Sequence, residues 1–227
     1  MFKTIKPVLV AGSLCLAIVL CKKDIVEQNP VSTEKNITAT ADATGNSSYY
    51  PVGSGTNQNY LDTTAAGPST SAKATIENLG DTTIDEKTFS KTSATGSSAV
   101  NYVNSTNGVT TLVSFNGKDK ITSTVLKANE PVGTVWTDEF TNAGVPSVYE
   151  WKLAAKGLTK TVLGVTYANV IQVHLNGTAK IPSKGNVAFA DADYFYTPNV
   201  GLIEHINYNT VTGKPELHRV LQNPVKL

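Results

Sequence analysis

Three histidines, His174, His205 and His218, are the residues of this 227-residue chain with the most direct use in acid–base chemistry or metal binding. A metal site needs several such ligands that converge from neighbouring elements. His174 and His205 each alternate with larger apolar residues, which predicts that both side chains point to the solvent side of their strands. We therefore expect exposed histidines with ordinary partners, no metal ligand and no catalytic residue.

The carboxylates of Asp191 and Asp193 stand two residues apart, so on a strand they share a face. A glycosidase needs its second carboxylate across a cleft. A calcium loop needs a third oxygen ligand and a glycine, where this chain continues with Tyr194-Phe195-Tyr196. The sequence also lacks the usual nucleophile-elbow, zinc-protease, phosphate-loop and dinucleotide-binding patterns. These features predict no enzymatic site and no cofactor.

Four aromatic residues are the candidates for ligand binding: Trp136, Tyr149, Trp151 and Tyr167. Their rings could stack on sugars, or line an apolar pocket on the concave face of a curved sheet. Core packing is the alternative interpretation, because Trp and Tyr commonly fill β cores with their polar tips at the edge.

The segments that carry these side chains are predicted to be β-strands. Short alternating runs are broken by Gly, Asn, Asp and Pro roughly every 8–12 residues. In one such run Tyr149, Trp151 and Leu153 share a face. Asn116-Gly117 between two runs is a strong hairpin signal. Weaker turn signals are Asn107-Gly108, Leu163-Gly164 and Thr212-Gly213. The pattern predicts an all-β protein built as a single large curved antiparallel sheet (an open half-barrel) with few or no helices, and a β-sandwich is the alternative.

Composition narrows the range of partners. Charged residues make up 16% of the chain and the formal net charge is +1, so there is no electrostatic basis for binding nucleic acid. The two cysteines, Cys15 and Cys21, both lie near the N-terminus. The rest of the chain therefore has no disulfide, no cysteine zinc site and no cysteine nucleophile.

The N-terminus predicts export. Lys3 and Lys6 precede an apolar run over residues 8–20, which is shorter than the ~20 residues that a membrane-spanning helix needs. Residues 1–20 are thus predicted to be a signal peptide. Cys21 follows at once, after Leu20. This order resembles bacterial lipoprotein signals, in which the cysteine becomes the first mature residue and carries the lipid. An uncleaved anchor and a secreted protein without lipid are the alternatives.

Residues 21–48 are poor in large apolar side chains, so they cannot offset the entropy of ordering. We predict a flexible tether there, and an all-β domain over residues 49–227.

Part of this domain resembles a known group. The motifs are Val132-Gly133-Thr134-Val135-Trp136-Thr137, Tyr194-Phe195-Tyr196-Thr197-Pro198-Asn199-Val200-Gly201 and the opening Tyr49-Tyr50-Pro51-Val52-Gly53. Together with the Cys21-Lys22-Lys23-Asp24 start, they are similar to exported lipoproteins of the Bacteroidetes with a curved antiparallel sheet. More distantly, the chain resembles the half-barrel domains of lipoprotein carriers.

The function predicted from the sequence is a non-enzymatic lipoprotein of the cell envelope that binds a partner or a small ligand. It would be anchored by its lipid in the outer membrane, on the periplasmic side or at the surface. An apolar small molecule, a glycan and an envelope protein are the possible partners. A carrier of lipids or other apolar ligands is one alternative, and a glycan or ester hydrolase is another.

Overall fold

The computed structural model describes residues 38–39, 48–50, 57–64, 67–94 and 97–222. The predicted signal peptide, Cys21 and most of the predicted tether lie outside the described residues. Thirteen strands are present in this part of the chain: β1 Thr38–Ala39, β2 Asn57–Thr64, β3 Gly67–Ile84, β4 Lys87–Ala94, β5 Val100–Thr106, β6 Val109–Asn116, β7 Asp119–Lys127, β8 Val135–Asn142, β9 Val145–Val162, β10 Val165–Ile181, β11 Gly185–Thr197, β12 Gly201–Tyr208 and β13 Pro215–Leu221.

All thirteen strands belong to one sheet. Twelve follow the order β7-β6-β5-β4-β3-β2-β13-β12-β11-β10-β9-β8, with every neighbouring pair antiparallel, and β1 pairs in parallel with the start of β10. The sheet is thus two meanders, β2–β7 and β8–β13, joined by the ladder between β2 and β13. The prediction of one large curved antiparallel sheet is confirmed, and the described residues include no helix.

The sheet curves further than the predicted half-barrel, because its two edge strands, β7 and β8, meet. No backbone ladder joins them among the described pairings, and side chains bridge the seam instead. Asp138 of β8 accepts the backbone N–H of Thr124 in β7 (2.8 Å), and the Trp136 indole donates to the Thr124 carbonyl (2.6 Å). Nearer the β6–β7 turn, Asp119 accepts the backbone N–H of Ala143 (2.9 Å). Polar side chains therefore replace the missing ladder.

The turns follow the chemistry of tight hairpins, in which both central residues need a positive φ. Asn107-Gly108 has φ values of 53° and 76°, and Leu163-Gly164 has 47° and 81°. Both predicted turns are confirmed, as is the Asn116-Gly117 hairpin between β6 and β7. Ala143-Gly144 and Asp85-Glu86 adopt the same conformation, although neither pair was picked out from the sequence.

The strand directions give the molecule two distinct ends. Ser48–Tyr50 lies at one end, where the Ser48 carbonyl accepts the backbone N–H of Asn199 (2.8 Å). Asn199 lies in the β11–β12 turn, and alternate turns of an antiparallel meander share an end, so the β9–β10 turn is at this end too. Strand β1 pairs with Thr166 and Tyr167 next to the β9–β10 turn. We call this end of the molecule the tether end. Because neighbouring strands are antiparallel, the β8–β9, β10–β11 and β12–β13 turns lie at the opposite end, which we call the far end.

Candidate functional site

The four aromatic residues predicted to bind a ligand are all buried. Their exposed fractions are 7% for Trp136, 2% for Tyr149, 0% for Trp151 and 1% for Tyr167. Trp136, Tyr149 and Trp151 belong to one apolar cluster, in which the Tyr149 and Trp151 rings lie 5.9 Å apart. Tyr167 lies in a second cluster. The structure therefore brings three of the four together as core side chains.

One of the four, Trp151, lines an interior cavity with Tyr50, Tyr194, His205 and Arg219. The volume of this cavity is about 40 Å³, enough for one or two water molecules. An apolar carrier needs a pocket of several hundred Å³. The geometry at Trp151 therefore favours core packing, and a role of the four aromatic residues in ligand binding stays a prediction.

The prediction that His205 faces solvent is wrong. Its side chain is 5% exposed and stacks on Tyr194, with the ring centroids 4.3 Å apart. Strand β12 is covered on both faces, so the larger apolar residues no longer mark the inner face. Burial, and then the positive charge of Arg219, lower the pKa of His205 to about 4. The ring is therefore neutral near pH 7, with Nε2 2.8 Å from the Asn207 amide oxygen.

Next to His205, a buried ion pair joins strands β2 and β13. Arg219 donates through Nε and Nη2 to the two oxygens of Asp62, at 2.7 and 2.6 Å. The side chains are 4% and 5% exposed. This pair was not predicted from the sequence. Arg219 is the single arginine of the chain, and that was the available signal, because arginine is the usual residue for buried, bidentate carboxylate binding.

On the outer face of the sheet, His174 lies beside the two carboxylates that were predicted to share a strand face. Nδ1 of His174 is 3.0 Å from Asp193 Oδ1, and Nε2 is 3.7 Å from Asp191 Oδ1. The hydrogen bond to Asp193 raises the pKa of His174. Burial alone would raise the pKa of Asp193, but hydrogen bonds from His174 and from the Tyr208 hydroxyl (2.9 Å) help to lower it. His174 is half-buried, so this histidine does face outward as predicted.

A second cluster of charged side chains on the outer face is centred on Glu204. Its carboxylate contacts the ammonium of Lys160 and lies 2.6 Å from Nε2 of His218. The Lys160 Nζ is 3.7 Å above the centre of the Phe195 ring. Burial lowers the pKa of Lys160, and burial and then the positive charge of Lys160 lower that of His218. Glu204 is thus paired with two cationic or titratable side chains, from β9 and β13, and we assign this group a structural role.

The open concavity of the outer face lies at the far end. Two adjoining cavities, of about 580 Å³ and 380 Å³, make up a groove whose two parts share the lining residues Val148 and Thr178. We call this groove the outer trough. Glu139, Lys180 and Asn186 line its larger part, whereas its smaller part is lined by Glu150, Asn176, Asp191 and Thr210.

A β-bulge in β11 shapes the floor of the smaller part: Gly177 pairs with Ala190 and Thr178 with Ala188, so Phe189 is the extra residue. A Cβ on Gly177 would lie 2.8 Å from the Cβ of Ala190 and 3.0 Å from the Phe189 ring. Glycine at this position therefore lets β11 approach closely, and the bulge bends the sheet beneath the trough.

No group of three or more His, Cys, Asp or Glu side chains suited to a metal ion occurs among the described residues. Within the same part of the chain, no helix has the length and apolar character to cross a membrane.

The known proteins that are similar to this chain are solved structures of low sequence identity. No family model matches the chain, and no curated protein matches it. Similar solved structures include one described as an exported protein with a YmcC-like fold from Bacteroides fragilis. Its TM-score is 0.42 and its sequence identity 10%, and the match covers 79% of this chain and 100% of that chain. Another is described as a lipoprotein from Parabacteroides distasonis, with a TM-score of 0.45, 13% identity and coverage of 77% and 97%. Both descriptions agree with the resemblance to exported proteins of the Bacteroidetes.

Proposed function

We propose that this chain is a non-enzymatic, lipid-anchored protein of the cell envelope that binds a ligand or partner in the outer trough. The observation that carries the proposal is the position of the trough. The N-terminal segment reaches the sheet at the tether end, and the trough lies at the far end. An anchor at Cys21 would therefore hold the trough away from the bilayer, where a ligand or another envelope protein can reach it.

The chemistry of the described residues supports binding and gives no support to hydrolysis. Among the residues that the structure describes, no serine, threonine or cysteine hydrogen-bonds to the His174–Asp193 pair, and Asp193 is already paired with Tyr208. The Glu204 carboxylate is likewise already paired, with Lys160 and His218. A carrier function draws no support from the 40 Å³ cavity beside Trp151.

The anchor is tested by replacing Cys21 with serine in the full chain. Lipid chains contribute about 0.8 kcal/mol per buried methylene to membrane binding, so a serine at this position should move the protein from the membrane fraction to the soluble fraction. Cys15→Ser is the matched control and should leave the protein in the membrane fraction. A Cys21→Ser variant that still sediments with membranes, or equal release of both variants, would contradict lipidation at Cys21.

The binding role is tested by native mass spectrometry of the full chain purified from its own cells in mild detergent. Val148 is shared by both parts of the trough, so Val148→Arg should remove any bound mass by filling the groove. Val135→Arg is the matched control, because Val135 is 51% exposed and lines neither cavity. Loss of bound mass from Val148→Arg alone is the expected result. Wild-type protein without bound mass, or a Val148→Arg variant that retains it, counts against the trough.

A further inference from the structure

We propose that the end of the β9–β10 hairpin, residues 158–167, is a hinged flap that closes over the outer face of β11, β12 and β13. It opens as a unit, without unfolding of the rest of the sheet, and exposes an apolar surface on both sides of the opening. The inference goes beyond the proposed function and does not depend on where a ligand binds.

The flap folds back over the sheet, because Lys160 contacts strands that are not neighbours of β9. Gln172 of β10 pairs with both Ala155 of β9 and Phe195 of β11, so these three residues are level in the sheet. Lys160 lies beyond Ala155 by about 17 Å on a straight strand. Its Nζ is nevertheless 3.7 Å from the centre of the Phe195 ring and contacts Glu204 of β12. The hairpin therefore bends back across β11 to reach β12.

The inner side of the flap is apolar. Residues that pair directly in an antiparallel ladder share a face. The pairs on this face are Leu158 with Val170, Lys160 with Tyr167 and Val162 with Val165. All except Lys160 belong to the second apolar cluster, which also contains Phe195, Ile203 and Val220 of the sheet beneath. The flap thus supplies the outer cover of β12, which is buried on both of its faces.

The base of the flap has the irregular backbone that a hinge requires. The register between β9 and β10 shifts three times between Tyr167 and Val173, and it is regular from Val173 to Ala179. Gly157 on β9 and Asn169 on β10 both have a positive φ, of 69° and 56°. A positive φ interrupts the extended conformation of a strand. The flap is therefore joined to the regular sheet by two irregular segments and not by a continuous ladder.

Two polar groups act in opposite directions on the closed flap. The ion pair of Lys160 with Glu204 holds the flap against the sheet, in addition to the apolar contacts. Tyr167 disfavours closure, because it is 1% exposed and its hydroxyl has no hydrogen-bond partner among the described residues. A buried hydroxyl without a partner is costly, and opening of the flap lets water hydrate it.

The N-terminal segment is attached to the flap. Strand β1 pairs with Thr166 and Tyr167, next to the part of β10 that pairs with β11. The Tyr49 hydroxyl donates to the carbonyl of Asn169 at the base of the flap (3.5 Å). Opening of the flap therefore displaces the segment that leads back towards Cys21, and the experiment requires the full chain.

The experiment is hydrogen exchange, followed by mass spectrometry, on the full chain in mild detergent. Amides of residues 158–167 should exchange faster than those of residues 147–152, which pair with both β8 and β10. Lys160→Met should speed exchange of the flap about tenfold or more and leave residues 147–152 unchanged, because it removes one partner of the ion pair. Tyr167→Phe should slow exchange of the flap by a similar factor, because it removes the unpaired hydroxyl and keeps the ring.

Lys152→Met is the matched control, since Lys152 is an exposed lysine of the same strand outside the flap. Its loss should leave exchange of the flap unchanged. A single common rate for residues 158–167 and 147–152 in the wild type would show that the flap opens only when the whole protein unfolds, and would overturn the proposal. Faster exchange in Tyr167→Phe, equal acceleration of both segments in Lys160→Met, or the same acceleration of the flap in Lys152→Met would also overturn it.

Discussion

Replacing Arg219 with methionine should lower the free energy of unfolding by about 3–5 kcal/mol, the usual cost of removing one partner from a buried ion pair. Asp62 would then remain as an uncompensated charge with an exposed fraction of only 5%. Chemical denaturation of wild type and variant measures the difference. An unchanged denaturation midpoint would show that the pair contributes nothing to folding.

Two further variants separate the charge from the packing. Asp62→Leu combined with Arg219→Met should recover much of the lost stability, because no lone charge is then buried. Lys120→Met is the matched control at the surface pair of Lys120 and Asp85, whose side chains are 35% and 76% exposed. Its cost should be at most about 1 kcal/mol, as for other exposed pairs. A double variant as unstable as the sum of its single variants would contradict the pairing.

The second large effect is expected at the seam between β7 and β8. Asp138→Ala removes the shared acceptor of the Thr124 backbone N–H (2.8 Å) and the Trp151 indole N–H (2.9 Å). Two buried donors without partners should lower the free energy of unfolding by about 2–4 kcal/mol. Asp138→Asn keeps an acceptor oxygen at the same place and should cost less than about 1 kcal/mol. Equal losses in both variants would show that the seam does not depend on this acceptor.

The same pair of variants predicts a dependence on pH. Burial raises the pKa of Asp138 above its ordinary 3.8, although hydrogen bonds from Thr124 and Trp151 oppose this rise. The folded protein then binds the proton more tightly than the unfolded chain. The contribution of Asp138 is full below pH 3.8 and is lost as the pH rises through the folded pKa. Stability relative to Asp138→Asn should therefore fall over that window, and the opposite slope would contradict the raised pKa.

Much of the fold could be predicted from local patterns. The alternation through Tyr149, Trp151 and Leu153 indicated both the strand and its buried face, and all three are buried. Turn chemistry located the Asn107-Gly108 and Leu163-Gly164 hairpins, because a positive φ at both positions strongly restricts the residue types. These successes share one physical basis, since period and turn conformation are properties of a few neighbouring residues.

What could not be predicted depends on residues distant in sequence. His205 is inward because β12 is covered on both faces, and the pattern of one strand does not reveal what covers it. The same holds for the trough, whose floor depends on the approach of Ala190 to Gly177 across two strands. Asp191 and Asp193 were noticed as a pair, but only the fold shows that His174 lies beside both carboxylates and that Asp193 also accepts the Tyr208 hydroxyl.

The joining of two meanders through β2 and β13 has a consequence for how the chain folds. Every other pairing along the twelve-strand order links strands that are consecutive in sequence, so each can form as a local hairpin. The β2–β13 ladder instead joins segments whose central residues, Asp62 and Arg219, are 157 positions apart. The loop-closure entropy of the molecule is concentrated in this one step. Cooperativity between the two meanders therefore requires β13, and the charges of Asp62 and Arg219 can pair only after this strand has been added.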